Sequence, residues 1–160
     1  MLRTILPDEA ATLALGAALA PVLEPGLTIT LRGELGAGKT TLVRGVLRAL
    51  GYAGPVKSPT YSLVELYPVS RLDLHHFDLY RITTPLEWRD SGFRDTFDGR
   101  NVCFIEWPEK AAGFLPPADV EITLDLQDAG RLASLRAGTP AGERCLAALA
   151  DRFPPSSAAT

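Results

Sequence analysis

Apolar positions along the chain follow two periods, and each predicts its own element. Ala11, Leu13, Leu15, Ala18 and Leu19 give an alanine-rich apolar face to a helix that Pro7-Asp8-Glu9 opens and Pro21 ends. Leu42, Val43, Val46, Leu47 and Leu50 recur at helical spacing and stop at Gly51, so a second helix runs from about Lys39 to about Leu50. Between them Leu27-Thr28-Ile29-Thr30-Leu31 is a short β-branched run, read as a strand. Residues 61–67 alternate Ser and Glu with Leu, Val and Tyr, Pro68-Val69-Ser70 turns the chain, and Leu72, Leu74, Phe77 and Leu79 mark a return strand over about 71–80. This pair predicts an antiparallel hairpin.

The second half continues the pattern. Thr84-Pro85-Leu86-Glu87 starts a helix with Thr84 as cap, and the segment to Gly99 reads as short helices and loop. Residues 101–106 hold the unbroken apolar run Val102-Cys103-Phe104-Ile105, which predicts a strand buried on both faces. Pro108 to about 112 reads as one helical turn. Val120, Ile122, Leu124 and Leu126 alternate with polar residues in a strand with one wet face. Gln127-Asp128-Ala129-Gly130 turns into a partner strand over 131–136, and 140–153 forms a last amphipathic helix. The Pro/Ser/Ala/Thr tail, 154–160, is expected to be disordered. A length of 160 residues predicts one domain, 1–153, with a core of its own.

The stretch with chemistry is Gly33-Glu34-Leu35-Gly36-Ala37-Gly38-Lys39-Thr40, which fits G-x-x-x-x-G-K-[ST]. It lies between a predicted strand and a predicted helix, the context that pattern needs. Its glycines let the backbone curl until N–H groups face a phosphate, and the helix start adds unpaired N–H groups and a positive dipole end. Leu35, Gly36, Ala37, Gly38, Lys39, Thr40 and Thr41 are therefore expected to bind a nucleotide. Lys39 would reach the β- and γ-phosphates, and the Thr40 hydroxyl would face Mg²⁺.

Such a loop needs an acidic residue at the end of a neighbouring strand. Glu106, which ends the most apolar strand, is the first candidate. Asp78 is the second, and by spacing reads equally as a solvated residue on the polar face of an alternating strand. Thr60, in Ser58-Pro59-Thr60, sits where nucleotide switches keep a threonine that senses the γ-phosphate, although turn chemistry accounts for it as well. Trp107 reads as packing. His75 and His76 are adjacent on a strand and so face opposite ways, which rejects a zinc site.

Composition narrows the partners. The net charge is −3 with only three lysines, Lys39, Lys57 and Lys110, so a nucleic acid is expected to be reached through another protein. No apolar stretch approaches a membrane span, no signal peptide precedes Asp8 and Glu9, and Cys103 and Cys145 have no framework or metal spacing, which together predict the cytoplasm.

Four segments together resemble the bacterial TsaE (YjeE) family: 33–41, Lys-Ser-Pro-Thr-Tyr-Ser-Leu-Val-Glu at 57–65, His-Phe-Asp-Leu-Tyr-Arg at 76–81, and Ile-Glu-Trp-Pro-Glu-Lys at 105–110. The resemblance runs from about Leu6 to about Leu149. It implies an α/β, P-loop NTPase-like three-layer fold with a mixed central sheet and antiparallel hairpins. It also implies slow, Mg²⁺-dependent ATP hydrolysis in the threonylcarbamoyl modification of the adenosine beside the anticodon of ANN-reading tRNAs. The implied partners are the TsaD transferase and its companion TsaB, with tRNA contacted mainly through them. By the resemblance Thr40 and Glu106 map onto Mg²⁺ ligands, Asp78 onto a required acid and Trp107 onto a required aromatic. Glu9 and the pair Gly130-Arg131 map onto nucleotide contacts near the adenine. Two other readings stand beside it: a small-molecule kinase, with Arg89, Arg94 and Arg100 as candidates for a lid, and a nucleotide-gated binding module with incidental hydrolysis. No Asn-Lys-x-Asp base-reading motif supports a GTPase.

Overall fold

The computed structural model describes residues 1–69 and 71–153. Its strands are β1 (Leu2–Leu6), β2 (Thr28–Arg32), β3 (Val64–Val69), β4 (Leu72–Asp78), β5 (Val102–Glu106), β6 (Val120–Gln127) and β7 (Gly130–Ala137). Its α-helices are α1 (Glu9–Leu19), α2 (Lys39–Ala49), α3 (Pro85–Asp90) and α4 (Pro140–Arg152). The strands form one sheet in the order β1-β7-β6-β2-β5-β4-β3. β2 runs parallel to both β5 and β6, and β4 runs parallel to β5. The pairs β3–β4, β6–β7 and β1–β7 are antiparallel. The sheet is therefore mixed, with hairpins on both sides of a parallel centre.

Hydrophobic alternation decides which layer covers which face. Ile29, Leu31, Val102, Phe104, Leu74 and Ile122 share one cluster with Leu15, Leu42, Val46 and Leu149, so α1, α2 and α4 cover that face. Phe77, Cys103 and Ile105 point the other way and pack with Trp88 of α3 and Ala111. All five residues of β5 are buried, as its apolar run predicts. Burial pushes the Cys103 thiol up to about 12 and the Cys145 thiol up to about 11, so both behave as core residues.

The first and third helices start where the sequence placed them, with Asp8 and the predicted Thr84 as caps. The Asp8 carboxylate accepts from the Ala11 N–H at 2.9 Å, and the Thr84 hydroxyl accepts from the Leu86 N–H at 3.2 Å. The first hairpin departs from expectation. Leu63 adopts a left-handed conformation (φ 68°) and its N–H bonds Pro59 at 2.7 Å, so the chain still turns where a strand was predicted, and β3 starts at Val64. β3 continues through Pro68 because it is the sheet edge, where a missing N–H removes no ladder bond. β4 stops at Asp78 rather than Tyr80, since the Asp78 carboxylate accepts from the Tyr80 N–H at 3.0 Å and turns the chain. The expected turn residue Ser70 and the tail 154–160 lie outside the described residues. β1 is an addition to the elements predicted from sequence.

The crossing of α1 and α2 depends on two glycines. A Cβ on Gly16 would lie 2.4 Å from the Leu42 carbonyl oxygen, and one on Gly45 would lie 2.4 Å from that of Leu13. Both obstacles are backbone, which cannot step aside. Gly16→Ala and Gly45→Ala are each expected to lower unfolding free energy by about 1–3 kcal/mol, despite better helix propensity. Urea midpoints measure this, and an unchanged or raised midpoint would show that the helices part freely.

Candidate functional site

The parallel centre of the sheet gathers the predicted residues at one edge. β2 leads into the glycine loop, where Gly36 (φ 79°) and Gly38 (φ 105°) hold backbone angles that side chains disfavour. α2 then starts at Lys39 with no side-chain cap, because Gly38 has none to offer. The N–H groups of its first turn and its positive dipole end are left for an anion. The Ala37 N–H already donates to the Glu34 carbonyl at 3.0 Å and so is committed within the loop.

The acidic side comes from the next two strands. Asp78 and Glu106 are register partners at the carboxyl ends of β4 and β5, and Glu106 is also paired with Leu31 of β2. Both carboxylates are buried, so the solvated reading of Asp78 does not hold. The Thr40 hydroxyl donates to Glu106 Oε2 at 2.9 Å. That places two hard oxygen donors side by side at the start of α2, a set that could hold Mg²⁺ together with phosphate oxygens. Ser58 donates to Asp78 Oδ2, and the Thr60 hydroxyl lies 3.4 Å from the same oxygen. The loop that carries Thr60 therefore closes over Asp78.

Lys39 is 5% exposed. Its ammonium donates to the Gly33 carbonyl, lies 3.4 Å from that of Glu34, and sits 4.0 Å from the centre of the Trp107 ring. Burial lowers its pKa below the ordinary lysine value, while the nearby Glu106 and Asp78 carboxylates pull it back up. Trp107 is itself in a left-handed conformation (φ 58°, ψ 51°), uncommon for a bulky side chain, and its ring tilts against Tyr80 at 5.0 Å. Lys39, Thr40, Asp78, Glu106, Thr60 and Trp107 all line one cleft of about 360 Å³, with the exposed Leu35 at its rim.

The loop's other side faces a second cleft of about 220 Å³, where Glu9, Gly130 and Arg131 meet Gly36, Ala37, Gly38 and Thr41. Arg131 donates to the carbonyls of Ala37 and Gly36, each at 3.0 Å, and so braces the loop. Glu9 is largely exposed and lies 3.6 Å from Arg44. Arg89 and Arg94, considered for a kinase lid, instead line a larger, separate cleft of about 670 Å³ beside Trp88 and Phe114. Arg100 lines a fourth.

Two residues at this site are absent from the predicted set. Ser58 was visible only as part of a loop composition, and its bond to Asp78 spans 20 residues. His76 is wholly buried, and its Nε2 lies 2.6 Å from Glu106 Oε2. The signal for it was its position two residues before Asp78, hence on the same strand face. His75 packs beside Phe77 on the opposite face, as adjacency predicts. Among the described residues no helix is long and apolar enough to cross a membrane.

A family model described as threonylcarbamoyl adenosine biosynthesis protein TsaE matches residues 6–133. The chain is similar to the tRNA threonylcarbamoyladenosine biosynthesis protein TsaE of Haemophilus influenzae, at 42% identity over 155 residues, covering 94% of this chain and 98% of that protein. It is similar to the protein of the same name from Bacillus subtilis, at 37% identity over 76% of this chain and 75% of that one. Its fold matches the crystal structure of Bacillus subtilis YdiB with a TM-score of 0.81, at 28% identity and with 94% of each chain covered.

Proposed function

The chain belongs to the TsaE family and has its role in tRNA threonylcarbamoyladenosine biosynthesis, and we propose that it serves there as a Mg²⁺-dependent ATPase working in the cytoplasm with the TsaD–TsaB pair. One observation carries this reading. The uncapped start of α2 faces the Thr40–Glu106 pair and the buried Asp78 across a single cleft. The net charge of −3 fits a protein that meets tRNA through these partners rather than alone.

In this reading the backbone N–H groups of Leu35, Gly36, Gly38, Lys39 and Thr40 and the Lys39 ammonium hold the β- and γ-phosphates, while the Ala37 N–H stays with the Glu34 carbonyl. Thr40 and Glu106 would hold Mg²⁺, which would supply neutralising charge for the phosphate oxygens. Asp78 orients a water for attack on the γ-phosphorus, the bond to the β–γ bridging oxygen breaks, and the proton of the water passes to the Asp78 side or to phosphate. Thr60, already turned toward Asp78, reports the γ-phosphate to the loop it belongs to, and through it to a partner. Glu9, Gly130 and Arg131 line the adenine side, where Arg131 keeps the loop in shape. The work is positioning and charge stabilisation. Among the described residues no arginine lines the cleft of Lys39, Asp78 and Glu106 as a finger would, so turnover by the chain alone is expected to be slow, a finger being worth ~10³–10⁵ in rate.

The test is ATP hydrolysis by the purified chain, alone and with TsaB and TsaD. Slow turnover that rises with the partners supports the proposal. Turnover indifferent to them points to a small phosphoryl acceptor. Asp78→Asn is expected to bind ATP with unchanged affinity and to hydrolyse it about 10²-fold more slowly. If that variant still supports the tRNA modification in full, the chain is a nucleotide-gated binding module whose hydrolysis is incidental.

A further inference from the structure

We infer that His76 is a positioning residue for the metal site: it donates a hydrogen bond that fixes the Glu106 carboxylate in the orientation that receives the cation. The inference rests on the proposed role of Thr40 and Glu106 as Mg²⁺ ligands. Alternation along β4 puts His76 on the same face as Asp78, and the parallel register sets His76 beside Phe104 and Asp78 beside Glu106. His76 is fully buried, one step deeper under the site than Asp78. Its Nε2 lies 2.6 Å from Glu106 Oε2, the same oxygen that accepts from Thr40 at 2.9 Å.

The tautomer follows from contact chemistry. A nitrogen lone pair 2.6 Å from a carboxylate oxygen would repel it, so the proton is on Nε2. His76 Nδ1 has no partner among the described residues, so no competing bond draws the proton to the other nitrogen. A buried carboxylate needs donors, and here two of them converge on Oε2. They hold that oxygen in place and keep Oε1 for the cation. A glutamate left to rotate about its three side-chain bonds would lose that freedom when metal binds, and His76 removes the loss in advance. Partners of this kind, one bond behind a metal ligand, are worth 10–100-fold in metal affinity.

The experiment measures binding of Mn²⁺, as a paramagnetic stand-in for Mg²⁺, to the protein–ADP complex. It compares wild type, Glu106→Gln, His76→Leu and His76→Gln, with ADP affinity in EDTA measured alongside. His76→Leu is expected to bind Mn²⁺ about 10-fold more weakly with ADP affinity in EDTA unchanged, and His76→Gln, whose amide N–H reaches a similar point, to recover most of the loss. Wild-type Mn²⁺ affinity in His76→Leu together with a loss in Glu106→Gln overturns the positioning role and leaves the metal assignment standing. Wild-type affinity in Glu106→Gln overturns the metal assignment itself. Equal losses of Mn²⁺ and metal-free ADP binding in His76→Leu would show a general disruption and overturn the inference. Should His76→Leu fail to fold, the ¹⁵N shifts of the wild-type ring decide: an Nε2–H tautomer supports the bond, and an Nδ1–H tautomer overturns it.

Discussion

Lys39→Ala is expected to remove ATP binding at millimolar nucleotide and to take turnover to background, with or without partner proteins. Among the described residues Lys39 is the only cation lining the 360 Å³ cleft, and its neighbours there include two carboxylates, Asp78 and Glu106. Polyphosphate brought to that cleft without it would meet those two negative groups with backbone N–H groups alone. Loss of one such preorganised donor lowers a rate by about 10²–10³, and loss of its charge adds a binding penalty. Calorimetric titration of ATP and a single-turnover assay read the two parts. A variant that hydrolyses ATP within about tenfold of wild type would show that the amine stays with the Gly33 carbonyl and Trp107 and never reaches a phosphate.

Burial also gives Lys39 a pH signature. Its pKa in the nucleotide-free protein lies below the ordinary 10.5, so the ammonium is lost at a lower pH than in the unfolded chain. In the proposed site phosphate needs the ammonium, hence ATP affinity is expected to fall as pH rises through that lowered pKa. Stability moves the other way. Between the folded and unfolded pKa values the unfolded chain binds more protons, so stability rises with pH in that window. Lys39→Ala should remove both trends from the wild-type profiles.

How far the sequence could be read depends on how local each feature is. The glycine loop, β2 and α2 are continuous in the chain, and their residue types carry their own geometry, so the shape of the glycine-loop half of the candidate site was legible. β5 was legible for the same reason: four consecutive apolar residues have nowhere to go but the interior. Asp78 was ambiguous because alternation says which face it takes, not what covers that face. Its burial depends on Ser58 and Thr60 folding over it from 20 and 18 residues away. β1 was hidden because Leu2–Leu6 is a strand only by pairing with β7, more than 120 residues later. The contact of His76 with Glu106 crosses two strands whose parallel register no local pattern specifies. The brace of Arg131 on Gly36 and Ala37 likewise exists only once β7 has reached the sheet.

Glu106→Ala is expected to abolish the Mg²⁺ dependence of nucleotide binding and to slow turnover about 10³-fold while leaving metal-free ADP binding in place. On the proposed role of Glu106, a lost metal ligand would remove charge stabilisation of several kcal/mol at the transferring phosphate, and each 1.36 kcal/mol is tenfold in rate. In the proposed site ADP without metal would depend on the loop N–H groups and Lys39, which the substitution leaves standing. Two further effects separate this variant from Asp78→Asn. The buried His76 Nε2 and the Thr40 hydroxyl both lose their acceptor, so the apo protein should unfold more easily by about 1–3 kcal/mol. Glu106 is also the strongest of the carboxylates that raise the Lys39 pKa against burial. Removing it lowers that pKa further, so the alkaline loss of nucleotide affinity should begin at a lower pH in Glu106→Ala than in wild type. A variant with normal Mg²⁺-dependent turnover would remove Glu106 from the metal site. A variant that loses turnover but keeps the wild-type alkaline limb would place Glu106 at the metal and show that its charge does not reach Lys39.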